Sequence, residues 1–228
     1  MREDPSLFGK EYYDTNYRDY VRQNPDYKLA FYRQLVLDHT HDIAEPRILD
    51  MGCAFGRFLA DMDPRWRRAG IDISEYAVRE AARSIHSVCF AAASCTAIPF
   101  RGPFHAIVAF DVIEHVPDLA SVAAFVNSEL DKNGVFVFVV PVYDGPLGGI
   151  VRMLDKDPTH VHKNPREFWL TWARQSFEIV SWTGIFRYLL PVGPYINWPN
   201  RRLRHIAPAI AVTVRRSSAS RSVRRAAG

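Results

Sequence analysis

Three aspartates, two glycines and two histidines carry the chemistry that can be read from this chain. Asp50 closes a short apolar stretch, Ile48-Leu49, and a glycine turn (Gly52, Gly56) follows at once, running into Phe58 and Leu59. A strand, a glycine turn and a helix start in that order present backbone amides and a helix N-terminus to a ligand. Glycine belongs there because a side chain would obstruct close backbone approach. Nucleotide-like cofactors occupy such turns. Asp72 lies sixteen residues beyond Gly56 at the end of a second strand-like stretch. An ionised carboxylate at that place can accept from both hydroxyls of a ribose. His115 and His160 are candidates for moving a proton near neutral pH, the task for which imidazole is the default side chain.

Which cofactor the turn suits depends on its spacing. A dinucleotide fingerprint needs glycine-like residues at the first, third and sixth positions, the last for tight packing of helix on strand. Those positions hold Gly52, Ala54 and Arg57, and an arginine at the packing position argues against NAD or FAD. The form Asp50-x-Gly52-x-Ala54-x-Gly56 instead resembles motif I of the class I S-adenosylmethionine (SAM) methyltransferases, Ala54 replacing the middle glycine. A turn with negative φ would tolerate that methyl. Ala93-Ser-Cys-Thr-Ala-Ile-Pro-Phe100 is similar to the family's adenine-binding loop. Ser94 stands in place of the usual acid, which leaves a backbone contact from Cys95 or Thr96 as the expected hold on the base. Phe104 to Asp118, containing Asp111-Val-Ile-Glu-His115, resembles the family's fourth strand and the loop after it.

The resemblance covers roughly residues 44 to 183 and is to small-molecule methyltransferases of types 11, 12 and 23. It implies SAM as cofactor, with Asp50, Gly52, Cys53, Ala54, Gly56, Asp72, Ile73, Cys95, Thr96, Asp111 and Val112 around it. It also implies an N-terminal aromatic lid, to which Tyr13 and Tyr17 would belong. These tyrosines, with Tyr20, fall at helical spacing, so a packing stripe is the alternative. His160 lies in Asp157-Pro-Thr-His-Val-His162, similar to a stretch of one bacterial subgroup in the region where the family builds its acceptor pocket. His115 either fixes its loop by a hydrogen bond to Glu114 or a carbonyl, or acts in catalysis. His162 is expected in solvent.

The elements that would position these groups alternate. Helices are expected near Lys10–Tyr20, Tyr27–His41, Phe55–Asp63, Glu75–Arg83 (capped by Ser74), Leu119–Leu130 and Pro165–Arg174. Strands are expected near Arg47–Met51, Arg67–Asp72, Val88–Ala92, Ala106–Asp111, Val135–Val140 and Phe177–Trp182, with a last one, Pro208–Arg215, pairing beside it. Such alternation implies an α/β fold with a doubly wound, Rossmann-like sheet and ligands at the strand C-termini. The resemblance implies seven strands, mostly parallel, the last antiparallel. The expected organisation is a helical lid (1–42), a SAM-binding domain (43–216) and a basic, disordered tail (217–228).

Composition is that of a globular chain: 48% hydrophobic residues among 228 suffice for a full core. Cys53, Cys89 and Cys95 lack metal-ligand spacing, so no metal is expected, and buried free thiols suit a cytoplasmic protein. Residues 179–228 hold nine arginines and no acidic residue. Either this is a solvated end or it contacts an anionic membrane surface or nucleic acid. The proline-rich apolar stretch 188–206 is left open between a pocket cover, a dimer contact and a membrane rest. The expected activity is methyl transfer to a small molecule, most plainly a hydroxyl of a sugar, glycan or secondary metabolite, by a monomer or homodimer. Enzymes that methylate base or glutamine nitrogens carry Asp/Asn-Pro-Pro-aromatic after strand four. Asp111-Val-Ile-Glu114 departs from that pattern, so no nucleic acid is expected. A macromolecular methyltransferase anchored by the arginines and a non-catalytic SAM-binding module stay as alternatives.

Overall fold

The computed structural model describes residues 5–16, 19–41, 43–155, 157–189 and 195–217. A 3-10 turn (Pro5–Phe8) leads into α1 (Lys10–Asn16), α2 (Tyr20–Gln23) and α3 (Asp26–Leu37). Then follow β1 (Arg47–Met51), α4 (Arg57–Asp61), β2 (Arg67–Asp72), α5 (Glu75–Ser84), β3 (Cys89–Ala92) and β4 (Phe104–Phe110). A 3-10 turn (Ile113–His115), α6 (Leu119–Glu129), β5 (Leu130–Pro141), α7 (Gly148–Leu154) and α8 (Arg166–Ser176) come next. The chain continues through β6 (Phe177–Leu189), β7 (Tyr195–Asn200) and β8 (Ala209–Arg216).

Strand β5 shows why the sheet lies inside. Phe136, Phe138 and Val140 pack into one apolar layer with Trp169 of α8, and Val135, Val137 and Val139 into the other with Leu29 of α3. Successive side chains point to opposite faces, so a strand covered on both must be apolar throughout, as parallel strands are. The sheet order is β3-β2-β1-β4-β5-β8-β6-β7. Strands β1 to β5 pair in parallel, and β8 runs antiparallel between β5 and β6. Strand order reverses between β1 and β4, and the crevice beyond their C-terminal ends is where such sheets bind ligands. Caps hold the helices that frame it. Ser74 Oγ accepts from Ala77 N at 3.2 Å and Asp118 Oδ1 from Ser121 N at 3.0 Å, each worth about 1 kcal/mol.

Several expectations need correction. Among the described residues the sheet has eight strands where seven were expected. The extra one, β7, lies in the proline-rich stretch and forms an antiparallel pair with β6, Pro199 opposite Ile185. Proline is admitted because β7 is the sheet edge, where one side of the strand has no ladder to supply. The expected helix Lys10–Tyr20 is instead α1 and α2, and Tyr17 lies outside the described residues. Helix α7, which opens on Gly148-Gly149, lies between β5 and α8, where no element was expected. Lys132-Asn133-Gly134, whose residue types signal a turn, is absorbed into β5 as a bulge: Leu130 pairs with Phe104 and Val135 with Ala106. Cys89 is exposed, while Cys53 and Cys95 are buried. Among the described residues no helix is long and apolar enough to cross a membrane. Of the basic tail only Ser217 is described.

Candidate active site

A cavity of about 960 Å³ opens at the β1/β4 switch point, and one continuous lining runs from Asp50 and Asp72 to His115 and His160. At its β1 end the glycine turn is folded upon itself. Gly52 N and Cys53 N both donate to Ile71 O of β2, at 2.7 and 2.8 Å, and Gly56 N donates to Cys53 O at 2.8 Å. Ala54 N donates to Asp72 Oδ2 at 2.9 Å. With these four amides already engaged, the turn offers no cluster of free donors for a pyrophosphate, which speaks against a dinucleotide more directly than Arg57 does. Ala54 adopts φ +46°, not the negative φ expected. Its methyl is tolerated at the cost of left-handed backbone strain, about 1 kcal/mol or more.

The acidic groups here suit a cationic, hydroxyl-bearing ligand. Asp50 is 3% exposed, and among the described residues it receives no hydrogen bond. Burial, with Asp72 nearby, pushes its pKa well above the ordinary carboxylate value. Asp72 is also raised by burial, against the amides of Ser74 and Ala54 that bond its oxygens. Beyond the Ala54 amide, Asp72 Oδ2 has a lone pair to offer a ribose hydroxyl. Tyr13 OH reaches Asp72 Oδ1 at 3.5 Å, so α1 closes over this end. Tyr13 and Tyr20 both set ring edges against Phe55. Cys53, Ala54, Ile73, Cys95, Asp111 and Val112 line the cavity as well.

Two expected contacts are not brought to the cavity. Gly56 faces inward on the fold: a Cβ there would meet Phe90 Cζ at 2.7 Å. Thr96 is exposed, and its amide donates to Ser94 Oγ at 3.0 Å.

Beneath the middle of the cavity Arg187 of β6 grips Asp111 through both carboxylate oxygens, at 2.5 and 2.6 Å. Burial works against ionising Asp111, yet the charges of Arg187 and Lys28 outweigh it and hold its pKa low. Asp111 takes φ +60°, a left-handed conformation that aspartate accepts more readily than most residues. Neither cation was foreseen. An arginine inside the apolar run Ile185-Phe-Arg187 was the available signal, since a charge on a buried strand needs a partner.

Lys28 is buried and donates to Asn24 Oδ1 at 3.1 Å. Burial, reinforced by Arg187 and opposed by Asp111, brings its pKa down to about 8. The unfolded chain therefore binds this proton more readily between pH 8 and 10.5. The resulting penalty is fully present below pH 8 and fades as pH rises through 10.5. Lys28→Met should thus gain stability over wild type at pH 7, an advantage that shrinks by roughly 3 kcal/mol on going to pH 10.5. Urea titrations of both proteins at the two pH values test this, and a constant difference would contradict it.

At the far end of the cavity the 3-10 turn after β4 meets the segment that follows α7. His160 Nδ1 lies 2.8 Å from Asp155 Oδ2, which also accepts from Tyr143 OH. Burial opposes ionisation of Asp155, but bonds from Tyr143, His160 and Lys163 hold its pKa below the usual range. An ionised Asp155 accepts from Nδ1–H, so in the neutral ring Nε2 keeps its lone pair. His115 Nδ1 lies 2.9 Å from Thr159 Oγ1, itself 2.5 Å from Asp157 Oδ1. A hydroxyl donating to Asp157 accepts from His115, which leaves the Nε2 lone pair free there too. Among the described residues the His115 ring bonds neither Glu114 nor a carbonyl, the loop-fixing partners expected from the sequence. Burial and the neighbouring His160 lower its pKa to about 4, so it is neutral at physiological pH. The two imidazole centroids are 4.5 Å apart. His162, expected in solvent, is half-buried with Nε2 3.0 Å from Val116 O. The N-terminal segment covers this end: Tyr12 OH donates to Asp157 Oδ2 at 3.1 Å, and Phe8 sets its edge on His115.

A doubly wound sheet with an antiparallel β8, a glycine turn bonded down onto β2, and carboxylates at the ends of β1 and β2 define a class I SAM-dependent methyltransferase. The family model described as "Methyltransferase domain" matches residues 20–202. The chain belongs to that family, and its cofactor is S-adenosylmethionine. No curated protein matches it by sequence. Among solved structures it is similar to the YcgJ protein from Bacillus subtilis, with 17% identity, TM-score 0.63, and coverage of 85% of this chain and 100% of that one. It is also similar to a chain of the complex between the Haloferax volcanii Trm112 methyltransferase activator and the putative methyltransferase (13%, TM-score 0.69, 95% and 99%). N-methyltransferase NodS from Bradyrhizobium japonicum WM9 resembles it as well (17%, TM-score 0.58, 90% and 99%). At such identities these likenesses speak for the fold.

Proposed function

We propose that this enzyme methylates a hydroxyl group of a small molecule, of the sugar, glycan or secondary-metabolite kind, in the cytoplasm. One observation carries the reading: the cavity that contains Asp50 and Asp72 continues to the His115–His160 pair. Its volume is at the upper end of small-molecule sites, with room for a cofactor and a compact acceptor. Cover from Phe8, Tyr12 and Tyr13 favours an acceptor that can be enclosed over a polymer, and we read residues 1–42 as a lid over the SAM-binding domain. Free cysteines support the cytoplasmic placement.

When bound, S-adenosylmethionine would supply an electrophilic methyl on a sulfonium, open to displacement by an acceptor oxygen with the C–S electron pair returning to sulfur. Asp72 binds the ribose hydroxyls, while Asp50, Gly52, Cys53, Ala54, Ile73, Cys95, Asp111 and Val112 shape the remainder of that end. Alignment of acceptor and methyl supplies most of the rate. His160 and His115 turn lone pairs to the acceptor end, where they draw the hydroxyl proton away from the attacking oxygen. The Asp111–Arg187 pair fixes the floor between the two halves.

Asp72→Asn tests the cofactor half. It keeps an acceptor for one amide while removing the charge, and SAM affinity should fall by about 1.5–3 kcal/mol. Unchanged affinity by calorimetry would remove Asp72 from the site.

A further inference from the structure

Glu114 has no assigned task, and its surroundings are unusual. It is 1% exposed, and among the described residues its Oε2 has no hydrogen-bond partner. Its backbone is held firmly, the carbonyl accepting from Val161 N at 3.1 Å and His162 N at 3.0 Å. The residue is therefore held against the segment that carries His160. A buried carboxylate oxygen left without a donor is costly, and such atoms are normally satisfied by an ion or water when the protein offers nothing. Ligand atoms of Glu114, His115 and His160 all lie within 4.8 Å of one another. All three residues line the cavity.

The geometry points to a divalent transition-metal site formed by Glu114, His115 and His160 at the acceptor end of the cavity. The surroundings match what metal-binding histidines need. Each has its Nδ1 engaged, His160 by Asp155 and His115 by the Thr159–Asp157 pair. Such outer partners set the tautomer, aim Nε2 and raise its basicity. Two imidazoles and one carboxylate suit first-row ions such as Mn²⁺, Fe²⁺, Co²⁺ or Zn²⁺ better than Mg²⁺, which prefers oxygen, and three protein ligands leave positions open. The site was hidden in the sequence because Glu114 and His115 are neighbours while His160 lies 45 residues on.

The use follows from the proposed acceptor chemistry, on which this part alone rests. With an ion bound, an open position would take the acceptor oxygen and lower its pKa, so that His115 and His160 ease the proton's departure through the ion they hold.

Cobalt titration of the full chain, stripped of metal with a chelator, tests the site without calling on activity. One equivalent of Co²⁺ should bind and show d–d absorption without a thiolate charge-transfer band, which excludes the exposed Cys89. Glu114→Gln, His115→Ala and His160→Ala should each weaken binding at least tenfold, and Asp155→Asn by about 10–100-fold. His162→Ala, whose ring bonds Val116 O, should bind as wild type does. Thermal melts identify any variant that does not fold, and the wild-type spectrum with the remaining variants then decides. Absence of stoichiometric binding, a thiolate band, or equal affinity in folded ligand variants would overturn the site. SAM titrated into the same protein separates the two readings: cobalt bound without SAM would sink the proposed function and keep the metal site, and the reverse would do the opposite.

Discussion

Valine at position 52 should abolish SAM binding and leave a folded domain. Gly52 takes φ +78°, where an L residue pays about 1–2 kcal/mol. A Cβ there would lie 2.2 Å from Val112 Cγ2 and 2.9 Å from Val112 Cγ1. Both residues line the cavity, so relief of the clash must push either the turn or Val112 into the cofactor's space. Strain alone would reduce stability, but β1 is held by parallel partners on both sides and the core lies away from the turn. Calorimetry should register no SAM binding to Gly52→Val, with a cooperative melt retained. Gly52→Ala should be milder, and Gly52→Ala with Val112→Ala should regain part of the affinity because the second change removes the clash and leaves only the strain. Wild-type affinity in Gly52→Val would show that the cofactor does not sit against this turn.

The second large effect belongs to His160. Removing its ring should lower turnover by on the order of 10²–10⁴, the range for losing a group that handles a proton in the transition state. SAM affinity should remain within about twofold, because His160 lies at the other end of the cavity from Asp72. Asp155→Asn should reproduce part of the loss. An amide accepts less strongly from Nδ1–H, and its own N–H₂ can turn toward the ring and favour the wrong tautomer. Single-turnover rates with saturating SAM separate this from a binding defect. A full rate in His160→Ala across the pH range would dismiss the residue from the reaction.

Much of the cofactor half was legible because its constraints are local. Gly52 follows Asp50 by two residues, and a pair of glycines straight after an apolar stretch announces a tight turn directly. The apolar run of β5 and the cap at Ser74 are equally short-range. The acceptor half was legible only in fragments. His115 and His160 stood out as residue types, but their orientation depends on Thr159 and Asp155. Pro199 concealed β7 because a proline reads as a break until the strand is known to be an edge. Ala54 read as harmless because residue type does not reveal the sign of φ.

Sequence alone established the alternation of strands and helices from β1 to β5, the bend after β1, the carboxylates at the ends of β1 and β2, and, through the family resemblance they carry, the cofactor. These depend on neighbours a few residues apart, where propensity and spacing leave few alternatives. The folded chain determined which charges meet. Arg187 reaches Asp111 across 76 residues, Lys28 is brought beneath them by α3, and Glu114 is sealed beside two histidines from different loops. Such pairings arise when distant segments are packed against one sheet, because burial removes water and forces each charge onto whatever partner the topology delivers.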